Sequence, residues 1–236
     1  MANVLVVDDD PNFRRLVSVT LGAAGHTVLD AGRCGAAANA LKSHKLDLLI
    51  VDGLLPDGDG VAWVKGQRAS GMKVPVLFIS AFRKTAREQQ TLASNAGIDD
   101  VLAKPVTAPE LLAKVERVLK KHGFESEELV LLGDEELRAL EEMRAQYAAA
   151  LPGVIAALQA SVTELAANPG DAVLQGLARR RAHQLAGTAG SFGYAPLGDA
   201  CAGLEQAILA LRAGGPLQPV QAALRALVLA DFPDLA

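Results

Sequence analysis

The apolar residues of this chain follow one period up to about Lys121 and another after Gly123, and that change limits the fold more than any other feature. The first stretch holds the short continuous runs NVLVV, LDLLIV, VPVLFI and DDVLA, with a weaker HTVLDA. A run that is apolar at every position, rather than at alternate ones, suits a strand covered on both faces of a parallel sheet. Amphipathic patterns lie between the runs over 11–24, 33–43, 60–69, 84–96 and 107–121. The last opens with Thr107 and Glu110 at capping-box spacing. Five β/α units follow, and with them an α/β fold with helices on both faces of the sheet.

Beyond Gly123 the strand signals stop. Ala- and Leu-rich helical patterns run over 134–150, 152–167, 171–193, 196–213 and 217–230, broken at Pro152, NPGD, YAPLGD and GGPLQP. Short loops between helices predict an all-α antiparallel bundle. The expected organisation is a sheet domain over 1–122, a linker over 123–133 and a helical bundle over 134–236. A flexible linker of about 11 residues reaches on the order of 18 Å, although LVLL within it suggests that part of it packs.

Composition excludes several classes. Residues after Lys121 include seven arginines, no lysine and twice as many acids, a poor balance for neutralising nucleic-acid phosphates. No apolar run approaches the roughly 20 residues that cross a bilayer. The start, MANVLVVDDD, lacks the basic segment of a signal peptide. Cys34 and Cys201 stand far apart, without disulfide or metal-ligand spacing, and read as small buried hydrophobes. The expectation is a cytoplasmic protein with no nucleic-acid partner and no membrane insertion.

Polar residues directly follow four of the apolar runs: Asp8 and Asp9, Asp52, Ser80, and Lys104. In a parallel sheet these strand ends share the carboxyl edge, where open α/β sheets bind ligands. Three carboxylates, a hydroxyl and an ammonium converging there suit phosphoryl transfer. Crowded carboxylates call for a hard cation such as Mg²⁺. The cation and the lysine can hold the oxygens over which charge spreads in the transition state. A carboxylate can itself be the nucleophile and form an acyl phosphate. PDGDG imitates a calcium loop at Asp57 and Asp59, but no bidentate glutamate follows at the twelfth position, so it reads as the tight turn after the third strand.

The stretches VLVVDDDPNFRRLV, LLIVDGLLPDGDG, VLFISAF and DDVLAKPV resemble the receiver domain of bacterial response regulators over roughly residues 2–121. The resemblance implies a doubly wound five-stranded parallel sheet of order 2-1-3-4-5, with Asp52 as phosphoacceptor. It implies Mg²⁺ bound by Asp9, Asp52 and the backbone carbonyl of Leu54, with Asp8 acting mainly through water. Ser80 and Lys104 would contact the phosphoryl oxygens, and the Lys104–Pro105 bond would be cis. Val101 stands where receivers usually carry the Tyr or Phe of an aromatic switch. Leu54 and Phe82, each two positions beyond a site residue, would crowd the entrance with apolar groups and exclude attacking water.

The second candidate is His183, in RRRAHQLAGTAGSFG. At about 100° per residue, Leu174, Leu177, Ala178, Ala182, Leu185, Ala189 and Phe192 form a core-facing stripe roughly 140° wide. His183 falls about 160° from its centre on the same wheel, flanked by Arg179, Gly187 and Gly190. Arg181 fits neither face. This placement predicts an imidazole standing on an outer surface, cleared by glycines for close approach of another molecule, with Arg179 and Arg180 attracting phosphate or an acidic cleft. An idle surface histidine fits the wheel as well. AHQLAGTAGSFGYAPLGDACAGLE resembles the signature of a histidine-containing phosphotransfer (HPt) domain, which implies that His183 carries a phosphoryl group. Ala186 replaces the lysine that the family often has.

The combined expectation is a bacterial phosphorelay protein. Asp52 accepts phosphate with Mg²⁺, and His183 transfers it. Partners would be a sensor histidine kinase or other phosphodonor protein and partner receiver domains, because the chain has neither a P-loop nor a kinase ATP-binding segment. The alternative is a phosphorylation-switched receiver whose bundle dimerises or binds an effector, with His183 idle. A third reading makes the bundle a phosphatase that uses Gln184 to direct water.

Overall fold

A computed structural model of the chain describes residues 1–80, 95–124 and 133–229. The chain divides into two compact units, Met1–Met143 and Arg144–Ala236. In the first unit the elements run β1 (Asn3–Val7), α1 (Pro11–Ala23), β2 (Thr27–Ala31), α2 (Cys34–Ser43), β3 (Leu48–Asp52), β4 (Leu54–Leu55), β5 (Gly58–Asp59), α3 (Gly60–Ala69), β6 (Val76–Ser80), β7 (Asp100–Ala103) and α4 (Ala108–Lys121). Five strands form one parallel sheet in the order β2-β1-β3-β6-β7. Without the two-residue strands β4 and β5, which pair as a separate antiparallel ribbon, this is the expected order 2-1-3-4-5. The expected helix over 84–96 lies almost wholly outside the described residues.

β3 and β6 are buried at every position, as unbroken apolar runs require when both faces of a sheet are covered. β2 at the edge is the exception, with Thr27 and Asp30 exposed, which explains its weaker signal. Helix starts follow local chemistry. Asp10 accepts from the Asn12 amide at the start of α1, and Thr107 and Glu110 close a full capping box on α4. Arg33 provides no side-chain cap for α2. Asp57 reaches across instead and accepts from the amides of Cys34 (2.8 Å) and Gly35 (2.9 Å). Asp59 caps α3 through the Ala62 amide. The acids of PDGDG are therefore helix caps on a tight ribbon.

From Asp134 onward, α5 (Asp134–Ala167), which begins in the first unit and continues through the second, α6 (Ala172–Thr188), a 3₁₀ turn (Gly190–Phe192), α7 (Ala195–Arg212) and α8 (Gln218–Leu229) follow one another. Two expectations are corrected here. Pro152 does not divide two helices, because α5 runs through it for 34 residues. Tyr147, Leu151, Ile155, Leu158, Val162 and Leu165 repeat at three- and four-residue spacing along α5 and are all buried. One continuous stripe thus outweighs the single hydrogen bond that proline removes. By length and composition α5 could also cross a membrane, and 28% of its apolar window is buried within the protein.

The helix expected over 171–193 ends at Thr188. Gly193 adopts φ +98°, a left-handed conformation natural to glycine. The Tyr194 amide closes on the Ala189 carbonyl at 2.9 Å, as in helix-terminating turns. Phe192 then stacks on Tyr147 at 4.4 Å between ring centroids.

Candidate functional site

The parallel register brings the ends of β1, β3, β6 and β7 to one edge. Asp8 lies one residue past β1 and Asp52 ends β3. Ser80 ends β6 and Lys104 follows β7. The Lys104 amide donates to the Ser80 carbonyl at 2.8 Å, which ties the ammonium and the hydroxyl to adjacent strand ends. The Lys104–Pro105 bond is cis. Lys104 Nζ lies 2.6 Å from Asp8 Oδ2 and 3.0 Å from Asp52 Oδ1. Asp8 Oδ1 accepts from the Asp10 amide at 2.8 Å, and Asp52 Oδ2 from the Leu54 amide at 2.8 Å. Asp8, Asp52, Ser80 and Lys104 are all buried, Asp52 to 1% exposure. Asp9 and Leu54 are half-buried.

Charge is out of balance in this cluster. Burial pushes the Asp8 carboxyl up to about 7, with Lys104 opposing the rise and Asp52 adding to it. Burial also disfavours the charge on Lys104, but Asp52 and Asp8 overcome it and hold its pKa above the ordinary value. Among the described residues one ammonium is shared by two buried carboxylates, an arrangement with more negative than positive charge.

That shortage tests the fit to Mg²⁺. Among the described residues no three His, Cys, Asp or Glu side chains are grouped so as to hold a metal ion by themselves. Mg²⁺ does not need such a cage, since it is usually held by one or two carboxylates together with water and phosphate oxygens. Buried carboxylates short of a cation and offering oxygen alone match that chemistry. Burial pushes the thiols of Cys34 and Cys201 up to about 12, which disfavours the thiolate form.

Two residues inside the quoted stretches, Gly60 and Phe13, show their part at this edge only in the structure. Gly60 packs on the acceptor strand, where an added Cβ would lie 2.0 Å from the Asp52 carbonyl oxygen. Phe13 places its ring beneath Lys104, with the ammonium 4.2 Å from the ring centroid. Phe13 belongs to the apolar stripe of α1 with Leu16, Val17, Thr20 and Leu21, so its spacing reads as core alone. Val101, at the aromatic-switch position, is buried in β7 opposite Phe78 of β6. Phe82 lies outside the described residues.

In the second unit His183 is 3% exposed, which corrects the expectation of an imidazole on an outer surface. Its Nδ1 lies 2.9 Å from Glu205 Oε2, on α7. The other oxygen of Glu205 accepts from Arg179 Nε at 3.2 Å. The stripe of Ala178, Ala182, Leu185 and Ala189 is buried as expected, and α7 meets the opposite side of α6. A wheel assigns one core face to a helix, but α6 has two. Arg181, which fitted neither face, donates to the Ala157 carbonyl at 2.8 Å and to the Ser161 hydroxyl, both on α5.

The glycines are corrected with the histidine. Gly187 is buried and Gly190 half-buried. A Cβ on Gly198 of α7 would stand 3.3 Å from the Ala186 carbonyl oxygen and 3.4 Å from the Gly190 nitrogen. Gly198 thus lets α7 pack closely on α6 and the 3₁₀ turn. Arg180 is exposed, whereas Arg179 is half-buried on Glu205. Glu205, buried to 1%, is the residue that the motif reading missed. Its signal was an acid on the buried seam of Gly198, Cys201, Leu204 and Ile208, where a charge needs a partner.

Comparison with known proteins finds two domain families along the chain. Residues 4–116 match the response regulator receiver domain family, and residues 142–232 match the Hpt domain family. The KDP operon transcriptional regulatory protein KdpE of Escherichia coli (strain K12) is 34% identical over 123 residues, covering 52% of this chain and 53% of that protein. The swarming motility regulation protein RssB of Serratia marcescens is 32% identical over 126 residues, covering 53% and 57%. The chain spans about half the length of these curated relatives. Among solved structures, chemotaxis response regulator CheY4 of Vibrio cholerae is 31% identical with a TM-score of 0.46, covering 50% of this chain and 98% of that one. The chain therefore carries a response regulator receiver domain over residues 4–116 and an Hpt domain over residues 142–232, the two kinds of domain that support two-component phosphorelay signalling.

Proposed function

We infer that this protein accepts a phosphoryl group on Asp52 in a Mg²⁺-dependent step and passes phosphate through His183. One observation carries the reading: Asp52, Asp8 and Lys104 meet at one sheet edge, with the ammonium 3.0 Å and 2.6 Å from the two carboxylates. An Asp52 carboxylate oxygen attacks phosphorus and forms an O–P bond. The bond from phosphorus to the donor's imidazole nitrogen breaks in line, and its electron pair stays on that nitrogen, which takes a proton. Lys104 and Ser80 contact the phosphoryl oxygens. Asp9, Asp52 and the Leu54 carbonyl would hold Mg²⁺, with Asp8 acting through water. The ion supplies the positive charge that two carboxylates and an incoming phosphate require.

At His183, the carboxylate of Glu205 accepts from Nδ1 and so favours the tautomer whose lone pair is on Nε2. Nε2 is then the nucleophile toward a phosphoaspartate. The O–P bond breaks and returns the carboxylate. Arg179 on the other oxygen of Glu205 fixes that acid in place, and the exposed Arg180 steers an acidic receiver cleft. A sensor histidine kinase or other phosphodonor protein and further receiver domains are the partners, in the cytoplasm.

The test loads Asp52 with a small-molecule phosphodonor and Mg²⁺, and then seeks acid-labile, base-stable phosphate on His183. Asp52→Ala and His183→Ala are the controls. Phosphate on His183 that depends on both residues is expected, from this chain or from a phosphorylated partner receiver. If no phosphodonor or phosphoreceiver ever labels His183, the relay reading is wrong.

A further inference from the structure

Lys104 has three N–H donors, and two of its neighbours are the carboxylates of Asp8 and Asp52. The third neighbour is the face of Phe13, 4.2 Å from the ammonium. That ring is 1% exposed, and a cation over a buried aromatic face is attracted more strongly than one in water. The stripe of α1 asks only for an apolar side chain at this position, as Leu16, Val17 and Leu21 show. Phe13 fills core volume as one of the largest fully buried side chains, and only an aromatic group at this position also offers the ammonium a ring face.

Esterification of Asp52 alters only one of the three contacts. Its carboxylate becomes an acyl phosphate, and the negative charge moves outward to the phosphoryl oxygens. Lys104 then has to exchange a carboxylate oxygen for a phosphoryl oxygen while still held by Asp8. A hydrogen bond is directional and resists such a turn. The attraction to a ring face varies little as the ammonium rotates above it.

We propose that Phe13 is a positioning residue for Lys104: its ring holds the ammonium between Asp8 and Asp52 and lets it pivot from Asp52 to the arriving phosphoryl group. This rests on the reading of Asp52 as acceptor. It assigns Phe13 an effect on the rate of Asp52 phosphorylation that an aliphatic residue of similar packing would not supply.

Ring fluorination separates the two roles, because it weakens the attraction for cations with little change of shape. In the full chain, Phe13 is replaced by mono-, di- and trifluorophenylalanine, and Asp52 loading from acetyl phosphate with Mg²⁺ is timed. The loading rate is expected to fall with each fluorine, reaching about one-tenth for the trifluorinated ring, with Phe13→Leu as low or lower. A second readout needs no phosphate: the ε-methylene protons of Lys104 shift upfield from the ring current in the native chain and lose that shift in Phe13→Leu. A flat fluorine series in a chain that loads Asp52, or an absent ring-current shift, overturns the role of Phe13 alone. A native chain that loads no better than Asp52→Ala overturns the acceptor reading, and the pivot with it.

Discussion

Replacing Gly60 by alanine tests the geometry beneath the acceptor. The new Cβ would lie 2.0 Å from the Asp52 carbonyl oxygen, 3.1 Å from its carbon and 3.3 Å from Val51 Cγ1, where ordinary contact begins at 3.4 Å. The shortfall to the oxygen is 3.4 − 2.0, about 1.4 Å, and the obstacle is backbone in a central strand, so no rotamer change relieves it. The 53–60 ribbon cannot simply swing away, since the Gly60 amide donates to the Gly53 carbonyl at 3.0 Å. Overpacking of this kind costs about 1–3 kcal/mol, and a backbone obstacle places Gly60→Ala toward the upper end. Asp52 itself has to move, and a misplacement of about 1 Å costs on the order of 100-fold in rate. Gly66, on the same helix α3, is the internal control, because nothing lies within 4 Å of its added Cβ. Gly66→Ala is expected to be neutral or to gain about 1 kcal/mol from helix propensity. Urea unfolding and timed loading from acetyl phosphate read both variants. If Gly60→Ala unfolds and loads like the native chain, the close approach of α3 to the acceptor strand is wrong.

Three further outcomes are expected. Leu54→Asn admits water to the entrance and shortens the life of the phosphoaspartate, and an unchanged dephosphorylation rate counts against an apolar guard. Glu205→Ala strips His183 and Arg179 of their shared partner and is expected to cost about 3 kcal/mol. Glu205→Gln keeps an acceptor near Nδ1 and folds better, but ¹⁵N spectra of His183 should show a changed tautomer balance. Spectra matching the native chain would remove Glu205 from the site. At Asp99, burial pushes the carboxyl up, but the Val76 amide, His122 and Lys121 bring it below the usual value. A lowered folded pKa stabilises above the unfolded pKa of about 3.9, and that stability is lost as pH falls through the folded value. Asp99→Asn should therefore destabilise the protein at pH 7 and match the native chain near about pH 2. An equal deficit at both pH values would refute the linkage.

The first unit was legible because its information is local and repeated. Each strand is a short apolar run, and each site residue directly follows one, so that sheet order alone assembles Asp8, Asp52, Ser80 and Lys104 at one edge. The contacts that tune the site are not local. Asp57 caps a helix 22 residues before it, and Phe13 meets Lys104 from a helix whose apolar spacing already had a sufficient explanation. The bundle was harder to read for the same reason. The wheel found the stripe of α6 correctly, but a single wheel cannot show that α7 covers the other side. His183 was therefore assigned to the surface. Its partner Glu205 sits among apolar residues of α7, in a stretch that matches the HPt signature, and only the packing of α6 on α7 shows what that acid does.

The two proposed phosphate sites follow opposite electrostatic plans, which bears on where a metal is needed. Around Asp52, two buried carboxylates share one ammonium among the described residues, and burial pushes the Asp8 carboxyl up to about 7. A phosphoryl group brings further negative charge to this cluster, and attack by a carboxylate is unfavourable until a cation offsets it. Around His183, one carboxylate is shared by one guanidinium and an imidazole. Phosphorylation there would leave a ring whose Nδ1 proton is already held by Glu205. Metal dependence should therefore divide between the sites. With EDTA, Asp52 should fail to load from acetyl phosphate, while phosphohistidine already present on His183 should persist at its usual rate of decay. Addition of Mg²⁺ should then restore exchange with a receiver aspartate. Equal loading of Asp52 with and without the chelator would mean that Lys104 alone neutralises the cluster, and the charge accounting would be wrong.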